Sequence, residues 1–441
     1  MRSPVLCSSL ALALCGVFAG PVAHAQTPPP PEAPPPEAAP PEAPPPPPPA
    51  PLPPPPVVVP PPPAAKPGPP SFKMEIPTGT LKVGLLVQPQ FKMENTNPAL
   101  DGYQTNLLIR RTRLLVGGSL FGGKFEYFFD TDFPNIGLAG APAMTATDQL
   151  TAPKNTPGMN VQDAFITWKA LADMVKIDAG YMLPPMSHNA VQGATTLYSW
   201  DYFFNTFRSG NAFGTQPPAG GNINPPLAQS PVGRDAGFEL RGLVLGGMLE
   251  YRAGLFQGLR QVATATDVRA RNMFRTVGRL QVNLMDPETG FFYAGSYLGT
   301  KKILSIGASV DYQDTGSTTA YRYFAGDVLV DQPLGPMGVF TAQVNVAHWD
   351  GGTTPLVGIA KSTAVMGEIG FLFAGAHLSP IFRAEHLWVT NANDDTYLGG
   401  GLAFWPYGHN SNLKAFYTNH KVQNAANGGS QFNVQWQLYF F

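Results

Sequence analysis

The chain has 441 residues, a formal net charge of −1, 44% hydrophobic and only 13% charged side chains. That balance offers no basic surface for nucleic acid and too few charges for an ordinary soluble surface of this size. Both cysteines, Cys7 and Cys15, stand near the start, which leaves the rest of the chain without disulfides or thiolate metal ligands.

Residues 1–25 read as an export leader. Arg2 supplies the positive start, Val5–Ala19 is a short apolar stretch, and Ala23-His24-Ala25 fits a small-x-small cleavage site before Gln26. The stretch is too short for a spanning helix. Residues 26–71 are dominated by proline and interrupted by Glu32, Glu37 and Glu42. Prolines lack a backbone donor and large apolar residues are scarce here, so an extended polyproline segment is expected in place of a folded domain. In the periplasm it serves as a spacer or, in an alternative reading, as a tether to peptidoglycan that gives the protein an envelope-structural role.

Residues 72–441 hold the folded domain, with no apolar run long enough for a membrane helix. They repeat a period of two. Leu81, Val83, Leu85, Val87, Phe91 and Met93 alternate with Lys82, Gln88, Gln90 and Lys92; Phe125, Tyr127, Phe129 and Phe133 alternate with Lys124, Glu126, Asp130 and Asp132. The segments at 174–183, 235–244, 303–312 and 337–348 behave alike. A soluble sandwich also alternates, but rows of mid-strand charges and aromatics at strand ends fit an antiparallel transmembrane β-barrel. Seventeen candidate segments run from 81–93 to 431–441. Single-chain bacterial barrels use an even number. The weakest candidate, FFYAGSYL at 291–298, is equally apolar on both faces; removing it leaves sixteen strands and a long connection at 286–302. Short links such as Gly122-Gly123, Ala172-Asp173 and Gly246-Gly247 then fall on the periplasmic side, and 134–160, 184–233 and 257–272 fall outside.

The polar phase places Lys82, Arg111, Arg113, Lys124, Arg241, Arg252, Arg275 and Arg279 toward the lumen, with Arg110 on the opposite face. Two readings of this row stand open. It is an anion path, for which guanidinium forks suit phosphate-like solutes, or it is an ion-paired wall that holds the barrel's shape, since acids nearly match bases. The longest loop, 184–233, carries Tyr198, Trp200, Tyr202 and Arg208. Its aromatic half either folds inward as a constriction or caps the rim. The chain contains no G-x-S-x-G, H-E-x-x-H or G-x-x-x-x-G-K, so it is not read as an enzyme, and no cofactor or metal is expected.

GRDAGFELRGLVLGGMLEYRAGLFQG (233–258), the IRRTR strand, VQDAFITW (161–168) and DAGYMLPPMS (178–187) resemble the phosphate-selective porin O and P family over about 80–441. The resemblance implies a sixteen-stranded barrel of the bacterial outer membrane, commonly a homotrimer, passing small anions along lumen arginines and lysines. Arg111, Arg113, Arg241 and Arg252 are the best-matched positions. The chain departs from the family in its proline-rich segment and in a barrel whose charges sum to zero.

The final residues, QFNVQWQLYFF, alternate Phe432, Val434, Trp436, Leu438 and Phe440 with a Gln/Asn row. They are expected to close the barrel against 81–93. A terminal aromatic is the expected mark for barrel-assembly machinery, and either Phe440 or Phe441 could provide it.

Overall fold

The computed structural model describes residues 72–95, 102–137, 159–207, 233–258, 273–314, 320–351, 359–424 and 428–441. The leader, the proline-rich segment and Arg208 lie outside these. Described are β1 (Phe72–Ile76), β2 (Gly79–Asn95), β3 (Gln104–Leu120), β4 (Phe125–Asp132), β5 (Asn160–Leu171), β6 (Val175–Met182), β7 (Asp235–Val244), β8 (Leu249–Phe256) and β9 (Arg275–Asn283). The second half comprises β10 (Ile303–Gln313), β11 (Tyr321–Pro333), β12 (Gly338–Asp350), β13 (Ser362–Phe373), β14 (Leu378–Val389), β15 (Asp395–Phe404), β16 (Ser411–Val422) and β17 (Gly429–Phe440).

Each strand from β2 to β17 pairs antiparallel with the next, and β17 pairs with β2. The result is a closed sixteen-stranded barrel, as the alternation predicts. Closure pairs both edges of each strand from β2 to β17 within the protein, which a bilayer requires because lipid offers no hydrogen-bond partners. Strands of 12 or 13 residues, such as β11–β14, extend about 40 Å and cross a ~30 Å hydrocarbon layer when tilted.

The alternation sorts the two faces. In β10, Ser305, Ser309 and Asp311 are buried in the interior, whereas Ile306, Val310 and Tyr312 are 45–49% exposed outside. The same holds around the wall, where Phe238, Leu255, Leu280, Phe324, Phe382 and Trp436 all stand outward and exposed. In water this surface would cost about 25 cal/mol per Å² of apolar area; against lipid it costs nothing. Aromatics gather near the ends, as in the Phe125–Trp168 stack with centroids 6.3 Å apart, which is where interfacial girdles sit.

The short turns and both described termini share one end of the barrel, the turn end. The other strand ends lie at the opposite end, the loop end. At the turn end β1 folds back on Gly79–Val83 of β2. It takes the same edge of β2 that β17 takes from Leu85 to Asn95.

One local departure matters for the interior. Between β2 and β3 the register runs from Val87↔Thr112 to Pro89↔Ile109, so β3 carries one extra residue. Pro89 has no N–H for the ladder, and the resulting bulge resets the inward phase of β3. Arg111 and Arg113 face inward beyond it, and Asn106 and Leu108 before it. Arg110 sits on the bulge. Strict alternation puts it on the outer face; the structure instead turns its guanidinium inward.

Candidate functional site

The interior is crossed by two non-strand segments. The first follows β6, from Leu183 to Phe207, and enters from the loop end. Pro184-Pro185 end the strand, and a short 3-10 turn at Asn189–Val191 starts the crossing. Polar side chains on this segment are buried because the wall receives them. Asn189 N–H and Gln192 Nε2 donate to Asn345 (3.2 Å) and Gln343 (3.0 Å) of β12. Lys414 Nζ of β16 donates to the carbonyls of Leu197 (2.7 Å) and Ser199 (2.9 Å). Gln437 of β17 donates to Thr195 O. Glu385 of β14 accepts from the backbone of Phe204 (2.9 Å) and Asn205 (3.1 Å). Asp201 then reaches β3, 2.6 Å from Arg111 and 3.0 Å from Arg110. Burial pushes the Asp201 carboxyl up, but the two guanidiniums outweigh it and hold it well below the usual carboxylate range. Of the two readings of this loop, the structure has the inward one for its described half, including Tyr198, Trp200 and Tyr202.

The second segment, 286–302, enters from the turn end. Its length matches the long connection expected from the sequence, but it is not a surface link. Tyr293 is 1% exposed and Glu288 is fully buried. Arg252 donates to the carbonyls of Phe291 (3.0 Å) and Gly290 (3.2 Å), and Tyr293 Oη donates to Glu250 (2.9 Å). The two segments meet as a short parallel bridge between Gln192 and Tyr293. Gly193 N–H donates to Tyr293 O and Tyr293 N–H to Val191 O, both at 3.0 Å. His188 stacks on Tyr293 at 4.8 Å, and its Nε2 lies 3.0 Å from Glu288. Burial raises the Glu288 carboxyl, but the imidazole and hydrogen bonds from Tyr297 and Gln281 lower it further, leaving it below its ordinary value of 4.5.

The wall arginines are committed to carboxylates. Arg113 holds Asp130 (3.0 Å) and Asp132 (3.1 Å), Arg241 holds Asp178 (2.6 Å), and Arg252 holds Glu250 (2.8 Å). Arg275 holds Asp311 and Arg279 holds Asp327, each at 2.6 Å. Arg252, Arg275 and Arg279 are at most 2% exposed; Arg252 braces the second segment, and Arg279 binds the first through Met186 O. Lys124 is exposed in the β3–β4 turn, off the wall. The structure thus brings six of the predicted arginines to the inner face, yet arranges them as paired braces with no row of free forks among them.

Among the described residues, one accessible space is a cavity of about 960 Å³. It lies between the two segments and the wall of β2–β7, toward the turn end. Its lining includes Lys73, Lys82, Arg113, Lys169, Lys176, Arg234, Arg241 and Lys301 against Glu126, Asp130, Asp163 and Asp173. Carboxylates just behind this lining hold three of the cations, Lys73 by Glu75, Arg113 by Asp132 and Arg241 by Asp178, which leaves Lys82 and Lys301 as the lining cations without an ion pair among the described residues. Lys82 has no carboxylate partner among the described residues; its Nζ lies 6.0 Å from the Phe441 ring centroid. Arg234, in the GRDAGFELRG stretch, was not picked out by alternation because it precedes β7. It reaches Asp163 at 3.2 Å.

No protein-family model matches the chain, and neither does any curated protein. Solved structures do. The outer membrane channel DcaP of Acinetobacter baumannii aligns with 84% of this chain and 99% of its own, at a TM-score of 0.50 and 10% identity. OmpF of Salmonella typhi, solved in complex with daunomycin, aligns with 84% of this chain and 100% of its own, at the same score and identity. At that identity the likeness is one of fold alone.

Proposed function

We propose that this chain is an outer-membrane pore for small hydrophilic solutes with a preference for anions. The single observation behind this reading is the presence of two lysines without an ion pair among the described residues, Lys82 and Lys301, in the cavity along β2–β7 inside a barrel whose exterior is apolar. An even strand count with both described termini beside the short turns supports a periplasmic turn end, and in this reading the cavity serves that side. Surplus lysine charge in a low-dielectric enclosure concentrates anions and repels cations. The preference rests on this field and not on forked recognition of one anion, because the guanidiniums that would provide forks already hold carboxylates. The resemblance to phosphate-selective porins supports the anion reading, and it supports a homotrimeric assembly.

The test is the reversal potential of the purified protein in a planar bilayer under a KCl gradient. A chloride-selective reversal potential is expected. Cation selectivity overturns the anion preference, and no conductance at all overturns the pore.

A further inference from the structure

The cavity has a second chemistry that a simple anion field does not use. Phe128, Phe292 and Phe441 come from β4, from the turn-end inward segment and from the C-terminus, and they meet there. Phe128 lies edge-on to Phe441 at 5.7 Å and to Phe292 at 5.6 Å. All three line the cavity and are only partly buried. Beside them stands Lys82, whose ammonium faces the Phe441 ring and, among the described residues, has no ion pair with a carboxylate. Glycines make room for this arrangement. A Cβ on Gly117 would lie 2.8 Å from Phe441 Cζ, and one on Gly84 would lie 2.8 Å from Phe441 Cβ.

Rings gathered on a water-filled lumen are an unfavourable way to build a plain ion path, because their apolar faces waste contact with water. An enclosure of this volume that sets an uncommitted cation beside aromatic faces is suited to a ligand having both a π-face and a negative charge. Resting on the pore reading above, we infer that this cavity is a binding subsite for small planar aromatic carboxylates, the ring lying among Phe128, Phe292 and Phe441 and the carboxylate on Lys82. Inorganic anions satisfy only the lysine. Aliphatic carboxylates of equal charge leave the rings unused.

The experiment compares benzoate, acetate and inorganic phosphate. In planar bilayers, benzoate added on the turn-end side is expected to block chloride current at concentrations at least about tenfold below acetate or phosphate, since stacking adds to charge pairing. Phe128→Leu should raise the half-blocking benzoate concentration several-fold while leaving any acetate effect in place, and Lys82→Gln should weaken blockade by benzoate and acetate alike. Equal blockade by the three anions overturns the subsite and leaves the pore reading intact. Binding is measured separately by saturation-transfer NMR on the full-length protein in detergent micelles. Ring-proton saturation of benzoate that Lys82→Gln abolishes, in a protein that does not conduct, keeps the subsite and overturns the pore. Absence of saturation in the wild-type protein overturns the subsite. Heat-modifiable migration of each variant in detergent gels shows that its barrel is closed before either comparison is made.

Discussion

Arg111 Nη2 lies 2.6 Å from Asp201 Oδ1, tying a wall strand to the tip of a loop 90 residues further along the chain. The Arg111 side chain is 4% exposed and that of Asp201 10%, so this is a buried contact, and Arg110 joins it only because of the bulge opposite Pro89. Removing one partner of a buried pair leaves the other charged and unsatisfied, a cost of about 3–5 kcal/mol. Asp201→Asn is therefore expected to release the loop tip from β3. Single-channel conductance should rise, and amides of 195–206 should exchange faster with solvent. Unchanged conductance together with unchanged exchange would show that the remaining contacts to β14, β16 and β17 hold the loop alone.

The lysine surplus makes a separate prediction about selectivity. Lys82 and Lys301 line the cavity, and neither has a carboxylate partner among the described residues. Replacing both by Glu reverses two charges at a site where field lines are confined by the wall. The anion-to-cation permeability ratio should fall at least about twofold, read as a shift in reversal potential toward the cation value. The Arg275→Lys variant should leave that ratio unchanged, because Arg275 is 1% exposed and paired with Asp311 away from the cavity.

The joint between the two inward segments should respond to acid. Glu288 has a carboxyl below its ordinary value of 4.5 in the folded protein. A depressed carboxylate contributes stability above its unfolded value and loses it as pH falls through its folded value. Exchange of 286–302 should therefore accelerate as pH falls below the ordinary carboxyl value of 4.5, while the strand amides stay protected. In Glu288→Gln the acceleration should vanish, with the segment looser at neutral pH as well. A wild-type profile flat down to pH 3 would rule this out.

The C-terminus offers a coupling test. Phe440 falls in the outward phase of β17, opposite Leu85, and Phe441 turns into the lumen over Gly84 and Gly117. Gly117→Ala forces that ring to move, at a cost of about 1–3 kcal/mol. Deleting Phe441 should remove most of that cost, so the double variant should unfold in heated detergent at nearly the temperature of the deletion alone. Additive effects would show that the ring does not occupy the notch. Removing Phe441 should also leave β17 paired with β2, since the ladder ends at Phe440.

Much of this architecture was legible from alternation. The faces of β2, β6, β7 and β10, the discarded strand at 291–298 and the closing role of the last strand all follow from period two, because lipid on one side and water on the other sort side chains strictly. The interior was less legible. The inward turn of Arg110 depends on Pro89, which lies on a neighbouring strand and which only the pairing brings opposite. The pairing of each arginine depends on strand register, so near-equal numbers of acids and bases suggested a braced wall without saying which acid serves which base. The 286–302 segment carries its own sign in the sequence. A stretch such as FFYAGSYL, apolar on both faces, suits neither side of a barrel wall, and it is buried on both sides because it lies within the lumen.

The shared edge of β2 has a consequence for how the cylinder is sealed. β1 occupies Gly79–Val83 and β17 occupies Leu85–Asn95 of that one edge, so they sit end to end like two planks on a single beam. Sliding β17 by the two residues that would preserve its faces would drive Phe440 into the space of Phe72. The little hairpin is thus a doorstop: it fixes the stagger at which the last strand meets the first, and with it the tilt and girth of the whole cylinder. With no edge left ahead of it, the last residue can only bend aside, which is how Phe441 comes to stand in the cavity.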